Sequence, residues 1–223
     1  MFYFYKKILL YSFIFLLLVS HATAQRNSLS SKLIYVSSSK IYLFPEASDL
    51  ILRKKNLPIE NIWGISIEYR RIFNEDKYGL GINIDYIRKT INLNTFGTTD
   101  GFWSIPIEVT AYFFIPLGLE KWKIFMGGGV GAYLGGRLLT KENSIESSSG
   151  SSPGYGIHIL GGIEYYFYRQ FAIKTQMKFR DLSFKTSNKF YSNQDDFNNT
   201  SIDYKSRINV DGMILELGIV YSF

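Results

Sequence analysis

From residue 60 to the end, the chain alternates with period two. Apolar or aromatic side chains take every second position, with Gly, Ser, Thr or charged residues between them. Successive side chains of an extended chain point to opposite faces, so each such stretch predicts a strand with one apolar face. Trp63, Ile65, Ile67, Tyr69 and Phe73 oppose Gly64, Ser66, Glu68 and Arg70, and Tyr78, Leu80, Ile82, Ile84 and Tyr86 oppose Gly79, Gly81, Asn83 and Asp85. Over 102–115, Trp103, Ile105, Ile107, Val109 and Phe113 oppose Ser104, Pro106, Glu108, Thr110 and Tyr112. Over 122–139, Ile124, Met126, Val130 and Leu134 oppose Lys123, Gly127, Gly129, Gly131 and Arg137. Segments 155–167 and 171–180 repeat the pattern, and a last strand over 207–223 places Met213, Leu215, Leu217, Ile219, Tyr221 and Phe223 on one face. These are seven strands. The stretch 32–44, interrupted by Ser37-Ser38-Ser39, is counted as an eighth.

The connections alternate in length: 45–59 long, 74–77 short, 93–101 medium, 117–121 short, 140–153 long, 169–170 short, 186–206 long. An even number of antiparallel strands closes with both termini on one side, and outer-membrane barrels join short periplasmic turns to longer extracellular loops. The expected fold is therefore all-β, an eight-stranded antiparallel up-and-down transmembrane β-barrel. The face carrying Gly127, Gly129 and Gly131 suits the crowded interior of a narrow barrel. The face bracketed by Trp63, Trp103, Trp122, Tyr78, Tyr165, Phe171 and Tyr221 suits lipid with aromatic belts. Residues 45–59 are open to two readings, a loop or a short helix over Ala47-Ser48-Asp49-Leu50-Ile51-Leu52.

The N-terminus agrees with export. Lys6 and Lys7 precede an apolar run from Ile8 to Val19, and Ala22-Thr23-Ala24 is a small-residue cleavage pattern. That run falls short of the roughly 20 residues of a spanning helix. The expected organisation is a signal peptide over 1–24, cut after Ala24, and one barrel domain over 25–223. With no cysteine in the chain, a lipid on cysteine and any disulfide are excluded. The net charge of +6 includes both lysines of the signal, and what remains is scattered, with no stripe suited to nucleic acid. Aromatics make up 17 % of the chain, which fits two interfacial girdles better than an average soluble core.

With its signal peptide, its alternating segments and the closing pattern Glu216-x-Gly218-x-x-Tyr221-x-Phe223, the chain resembles the small outer-membrane β-barrel family, the OmpA/OmpX type of eight-stranded barrel. The resemblance implies residence in the outer membrane of a Gram-negative bacterium. It also implies that Gly218, Tyr221 and Phe223 act as the signal read by the barrel-assembly machinery. The chain stops at Phe223, so no periplasmic peptidoglycan-binding domain is expected to follow.

Candidate chemistry collects on the face assigned to the lumen: Glu68, Arg70, Asp85, Lys89, Glu108, Lys123, Arg137, Glu164, Lys174, Lys178, Arg180 and Glu216. A barrel of eight strands has room inside only for side chains. Charges there must pair or be hydrated, because desolvation of a lone ion is costly. One reading is an ion-pair network that plugs the barrel; the other is a narrow pore, which the excess of cations in this set would make weakly anion-selective. His158 is the only histidine after the signal and reads as a hydrogen-bonded filler, so no catalytic site is expected. Asp195-Asp196 and Asp203 read as ordinary loop residues, and no cofactor or metal is expected. The Gly127–Gly131 run lacks the Lys-Ser/Thr ending of a phosphate loop. Pro106 inside a strand marks a break in the ladder, of the kind that could open a lateral exit for a small hydrophobic molecule. The expected role is a non-enzymatic, monomeric scaffold in outer-membrane lipid whose long loops meet an extracellular partner. The alternative is a narrow channel or conduit for small molecules.

Overall fold

The structure is a computed structural model and describes residues 27–73, 77–93, 98–119, 121–140, 144–192, 201–210 and 212–223. The signal segment with Ala22 and Ala24, and the Asp195-Asp196 pair, lie outside the described residues. In chain order the elements are β1 (Asn27–Tyr42), α1 (Leu50–Lys54), β2 (Asn56–Phe73), β3 (Tyr78–Leu93), β4 (Thr98–Ile115), β5 (Trp122–Arg137), β6 (Ser144–Ser152), β7 (Gly154–Tyr166), β8 (Phe171–Arg180), β9 (Leu182–Ser192), β10 (Ser201–Val210) and β11 (Met213–Ser222).

Every strand pairing is antiparallel, and β11 pairs with both β8 and β1, which closes the ring. The closed barrel consists of β1, β2, β3, β4, β5, β7, β8 and β11, the eight-stranded architecture that the alternation predicts. At the seam, Asn27 and Phe223 exchange both backbone hydrogen bonds, at 3.0 and 2.8 Å. Closure leaves no edge in the wall, the condition for a sheet to stand in lipid.

The other three strands continue barrel strands beyond the end that carries the long connections. β9 and β10 pair from Val210↔Leu182 to Ser201↔Tyr191 in the register that β11 and β8 keep below them, so the last two strands form one tall hairpin. Pro153 alone separates β6 from β7, and β6 adds to the outer side of β9. Proline has no N–H to give a ladder, which accounts for the interruption. At Gly212 a Cβ would stand 2.6 Å from the Ser38 carbonyl oxygen, so only glycine lets the chain pass the Ser37–Ser39 stretch, where β1 exchanges β11 for β10. Asn61 has φ 54°, a left-handed conformation that asparagine tolerates, and its Oδ1 accepts from the Tyr35 hydroxyl at 2.7 Å.

Two expectations are corrected and one open reading is settled. The first strand runs from Asn27 to Tyr42 rather than over 32–44. Within 45–59, Leu50–Lys54 is helical, with Asp49 as its cap, and β2 has begun by Asn56. The loops placed at 140–153 and 186–206 are largely strand. Above the lipid neither face has to be apolar, so the hydropathy signal vanishes while the backbone ladder goes on.

The outer wall is apolar, as the alternation requires. Trp63, Ile157 and Ile219 are 61 %, 66 % and 58 % exposed, values that would be costly in water over so wide a surface. From Phe171 to Phe179 or from Tyr165 to Tyr155 the band is about 20–25 Å tall for strands tilted near 40°. Aromatic pairs mark both rims: Trp122–Tyr165 at 4.6 Å and Phe171–Tyr221 at 5.2 Å by the short turns, Tyr35–Trp63 at 5.2 Å by the long connections.

Candidate functional site: a layered lumen and an outer pocket

The inward positions of each strand change character along the barrel. Nearest the short turns lie Ile72, Tyr112, Phe114, Phe125 and Leu160, all buried. The Arg70 guanidinium sits over this group, 5.0 Å from the Phe114 ring centre and 5.3 Å from that of Tyr112. Next comes a charged layer. Glu68 accepts from Lys174 at 2.7 Å and from Lys32 at 2.8 Å, and Lys32 also meets Glu216 at 2.6 Å. Arg70 pairs with Glu164 at 2.7 Å. Lys178 joins Glu108 at 2.7 Å to Glu216 at 2.8 Å, and Arg180 joins Asp85 at 2.8 Å to Glu108 at 3.2 Å. Gln176 donates to Glu216 at 2.7 Å, and Ser66 donates to Asn83 at 2.6 Å.

Among the described residues this layer holds five cations, Lys32, Arg70, Lys174, Lys178 and Arg180, against five carboxylates, Glu68, Asp85, Glu108, Glu164 and Glu216. The balance corrects the cation excess read from the sequence. Lys123 is half-buried beside the Tyr166 ring near the short turns, and Lys89 reaches outward to the Asn61 carbonyl at 3.1 Å. Arg137 is buried but stands higher, paired to Asp100, with Asn188 donating to its carbonyl at 3.2 Å. Among the described residues Lys89 and Arg137 share no salt bridge with the charged layer, while Lys123 stands opposite Glu164 in the β5–β7 ladder. Lys32, which the sequence reading left out, belongs to it. With equal numbers of each sign, the layer gives no basis for anion preference.

Above the charges the lumen turns apolar again. Ile34, Ile62, Ile87, Phe102, Tyr133 and Ile214 from the barrel meet Leu182, Phe184, Ile208 and Val210 from β9 and β10 in one buried cluster. Phe184 lies against Gly135, and a Cβ there would collide with its ring, so this glycine makes room for the tall hairpin. Gly131 makes room lower down, where a Cβ would stand 2.9 Å from both the Glu108 side chain and the Tyr133 hydroxyl. The sequence reading missed this second apolar cluster because it took the inward face as uniformly polar. The signal was present in Ile34, Ile62, Ile87 and Phe102, apolar residues that break the polar face at the same height on neighbouring strands.

His158 is buried and its Nε2 lies 2.8 Å from the Thr110 hydroxyl. Pro106 faces inward, and the β3–β4 ladder skips Asp85 and Tyr86, the positions opposite Pro106 and Ile105. In β11, Gly218 packs its bare Cα against the Lys32 side chain, while Tyr221 stacks with Phe171 and Phe223 at the seam. Of the acidic residues set in the last long connection, Asp203 accepts a hydrogen bond from the Ser187 hydroxyl. No three His, Asp or Glu side chains among the described residues converge as a metal site.

A separate cavity of about 330 Å³ opens on the outer face of the β6–β9–β10 sheet, lined by Pro45, Glu46, Ser151, Ser152, Lys185, Ser187 and Lys205 among others. Glu46 accepts from Lys205 at 3.1 Å, a bond that holds the ammonium group's pKa above its ordinary value.

No protein-family model matches the chain, and no curated protein matches it. Solved structures do. Ail, the attachment invasion locus protein of Yersinia pestis, is similar with a TM-score of 0.51 and 15% identity over 90% of this chain and 100% of that one. Neisserial surface protein A gives 0.51 and 13% over 88% and 97%, and outer membrane protein AlkL, solved in lipid bilayers, gives 0.51 and 14% over 91% and 92%. At such identities the likeness is one of architecture, and it agrees with the closed wall, the apolar band and the alternation of connections. The chain has the fold of the small eight-stranded transmembrane β-barrels of the outer membrane.

Proposed function

We propose that this protein is a non-enzymatic, monomeric integral protein of the Gram-negative outer membrane, a barrel with a sealed lumen that carries a tall extracellular sheet for interaction with a partner. The observation behind the sealed lumen is its layering: an aromatic cluster, a charge-balanced layer and an apolar cluster follow one another, with the interior side chains buried. A conducting path would need water alongside ions, and a full set of paired charges in a barrel of this width leaves them none. The height of β6, β9 and β10 supports the outward-facing role, since a barrel that only filled the membrane would not need them. A protein of the same fold is named for attachment and invasion, which fits a surface-presenting role here. His158 and the Thr110 hydroxyl it contacts are both buried in the lumen, out of reach of a substrate, and this supports the non-enzymatic reading. Export by the signal segment, and recognition of Gly218, Tyr221 and Phe223 by the barrel-assembly machinery, belong to the same reading.

The test is conductance of the refolded chain in a planar bilayer. A silent membrane around a folded barrel is expected. Discrete steps that change on reversing Lys178→Glu would refute the sealed lumen. Removal of 187–205 is expected to abolish partner binding and leave the bilayer record unchanged. The second reading, a conduit for small hydrophobic molecules, is favoured by the gap in the β3–β4 ladder at Pro106. It expects Pro106→Ala to reduce uptake of such a molecule into vesicles; equal uptake would exclude that route.

A further inference from the structure

The outer face of the extracellular sheet carries an unusual row of side chains. Ladder pairings set Ser152 beside Lys185, Lys185 beside Arg207, and Arg207 beside Tyr42 on four successive strands. Lys185 and Arg207 therefore stand directly opposite each other, and like charges so placed destabilise a sheet. Lys205, two positions from Arg207, adds a third cation on the same face. Glu46 pairs with Lys205, whereas neither Lys185 nor Arg207 has an ion pair among the described residues. Arg207 is instead laid over the Tyr42 ring at 4.8 Å, and its Nε is buried without a hydrogen-bond partner among the described residues. The juxtaposition costs stability, so it calls for an anion. The cavity beside it is lined by Ser152, Ser187, Lys185 and Lys205 of that same face, and its serines suit a ligand rich in hydroxyls of its own.

Height selects the source of that anion. Lys185 follows Phe179, at the upper rim of the apolar band, by six residues along one wall strand, or about 15 Å along the barrel axis at the usual rise and tilt. The polar layer of a bilayer leaflet is only about 5–8 Å thick. A simple phospholipid phosphate therefore stops below the row, whereas a headgroup built of several sugars reaches it. We infer that this pocket, together with Arg207 directly across the ladder from its Lys185, binds the phosphorylated sugar headgroup of a glycolipid in the outer leaflet. Lys185 and the guanidinium fork of Arg207 grip phosphate oxygens, and the serines meet the sugar hydroxyls. The inference rests on the membrane orientation proposed above.

The test titrates the refolded full chain, in neutral detergent, with fluorophore-labelled lipopolysaccharide that has a phosphorylated inner core. The variant Lys185→Gln/Arg207→Gln is expected to bind at least tenfold more weakly, and enzymatic removal of the phosphates to weaken wild-type binding as much. Affinities within twofold of each other for wild type and variant overturn the inference. So does variant-sensitive binding of phosphatidylglycerol, which would place the site at ordinary headgroups. Delipidated core oligosaccharide binding as tightly as the glycolipid would assign the pocket to free phosphosugars instead. Heparin binding that is lost in the variant, with glycolipid binding unchanged, would assign it to a sulfated polysaccharide. Both proteins are first checked for insertion into vesicles by quenching of tryptophan with brominated lipid. Failure there removes the membrane reading, and insertion with insensitive binding removes only this inference.

Discussion

Replacing Glu68 by glutamine strands a buried ammonium group. Lys32 keeps Glu216 at 2.6 Å, but Lys174 loses its only salt-bridge partner among the described residues. The Lys174 side chain is fully buried, and what remains around it are the faces of Phe125 at 4.9 Å and Tyr112 at 5.3 Å and, across the β7–β8 ladder, Glu164, whose carboxylate is already paired to Arg70. Cation–π contact in a dry site offsets about 2 kcal/mol or somewhat more. Breaking a buried pair by removing one partner costs about 3–5 kcal/mol, and Glu68→Gln is expected to lose that much. Removing both charges with Glu68→Gln/Lys174→Met restores neutrality at similar volume, and such replacements of whole pairs are often neutral. The double variant is therefore expected within about 1–2 kcal/mol of wild type, a coupling of about 2 kcal/mol or more between the sites. Urea unfolding of the barrel in lipid vesicles, followed by tryptophan fluorescence and by the mobility shift of unheated protein on SDS gels, gives the four stabilities. A single variant that loses less than about 1 kcal/mol, or losses that simply add, would mean that water already screens Lys174. The sealed lumen would fall with that result.

The other predictions test different levels. Gly135→Ala is expected to displace Phe184 and loosen the tall hairpin from the barrel, costing about 1–3 kcal/mol; hydrogen exchange should rise over 182–192 while β8 stays protected. Gly131→Val should be worse, since its side chain enters the charged layer against Glu108 and Tyr133, and failure to refold into SDS-resistant barrel is the expected result. Single-tryptophan variants retaining Trp63 or Trp122 should be quenched best by lipids brominated near the headgroup, in opposite leaflets; deep quenching of either would misplace the apolar band. Phe223→Ala should slow assembly in cells severalfold yet leave refolding in vitro nearly unchanged; equal slowing of both would reduce the residue to a structural one.

What the sequence makes legible follows from what lipid demands of it. Outside the barrel, Trp63, Ile65 and Ile67 or Leu215, Leu217 and Ile219 must all be apolar because each meets hydrocarbon, and period two exposes them at once. Inside, each position answers only to its neighbours across the lumen. Glu68 needs Lys174, which lies 106 residues away, and nothing local names that partner. Arg137 shares its face with the charged residues and differs from them only in height, a coordinate fixed by strand register. The β6, β9 and β10 segments are hidden for a further reason. Lys185 and Ser187 face out and Thr186 and Asn188 face in, so both sides are polar and the alternation carries no contrast.

The pairings of the charged layer also bear on how the barrel comes together. Glu68 and Arg70 sit on the second strand, while Lys174 and Glu164 belong to wall strands that emerge much later. A sheet of the first four strands therefore pairs Lys32 with Glu68 but leaves Arg70, Asp85 and Glu108 without their close partners, which arrive only when the wall curls round to meet itself. Bringing together groups this far apart carries a loop-closure cost before any contact rewards it. A partly curled sheet would also expose those ions to a medium that cannot solvate them. Intermediate curvature is thus disfavoured on both counts, and the lumen acts as a latch. The ring is either open with its ions in water or shut with every one matched, and a sheet rolled up in the wrong register is rejected by its own unbalanced charge.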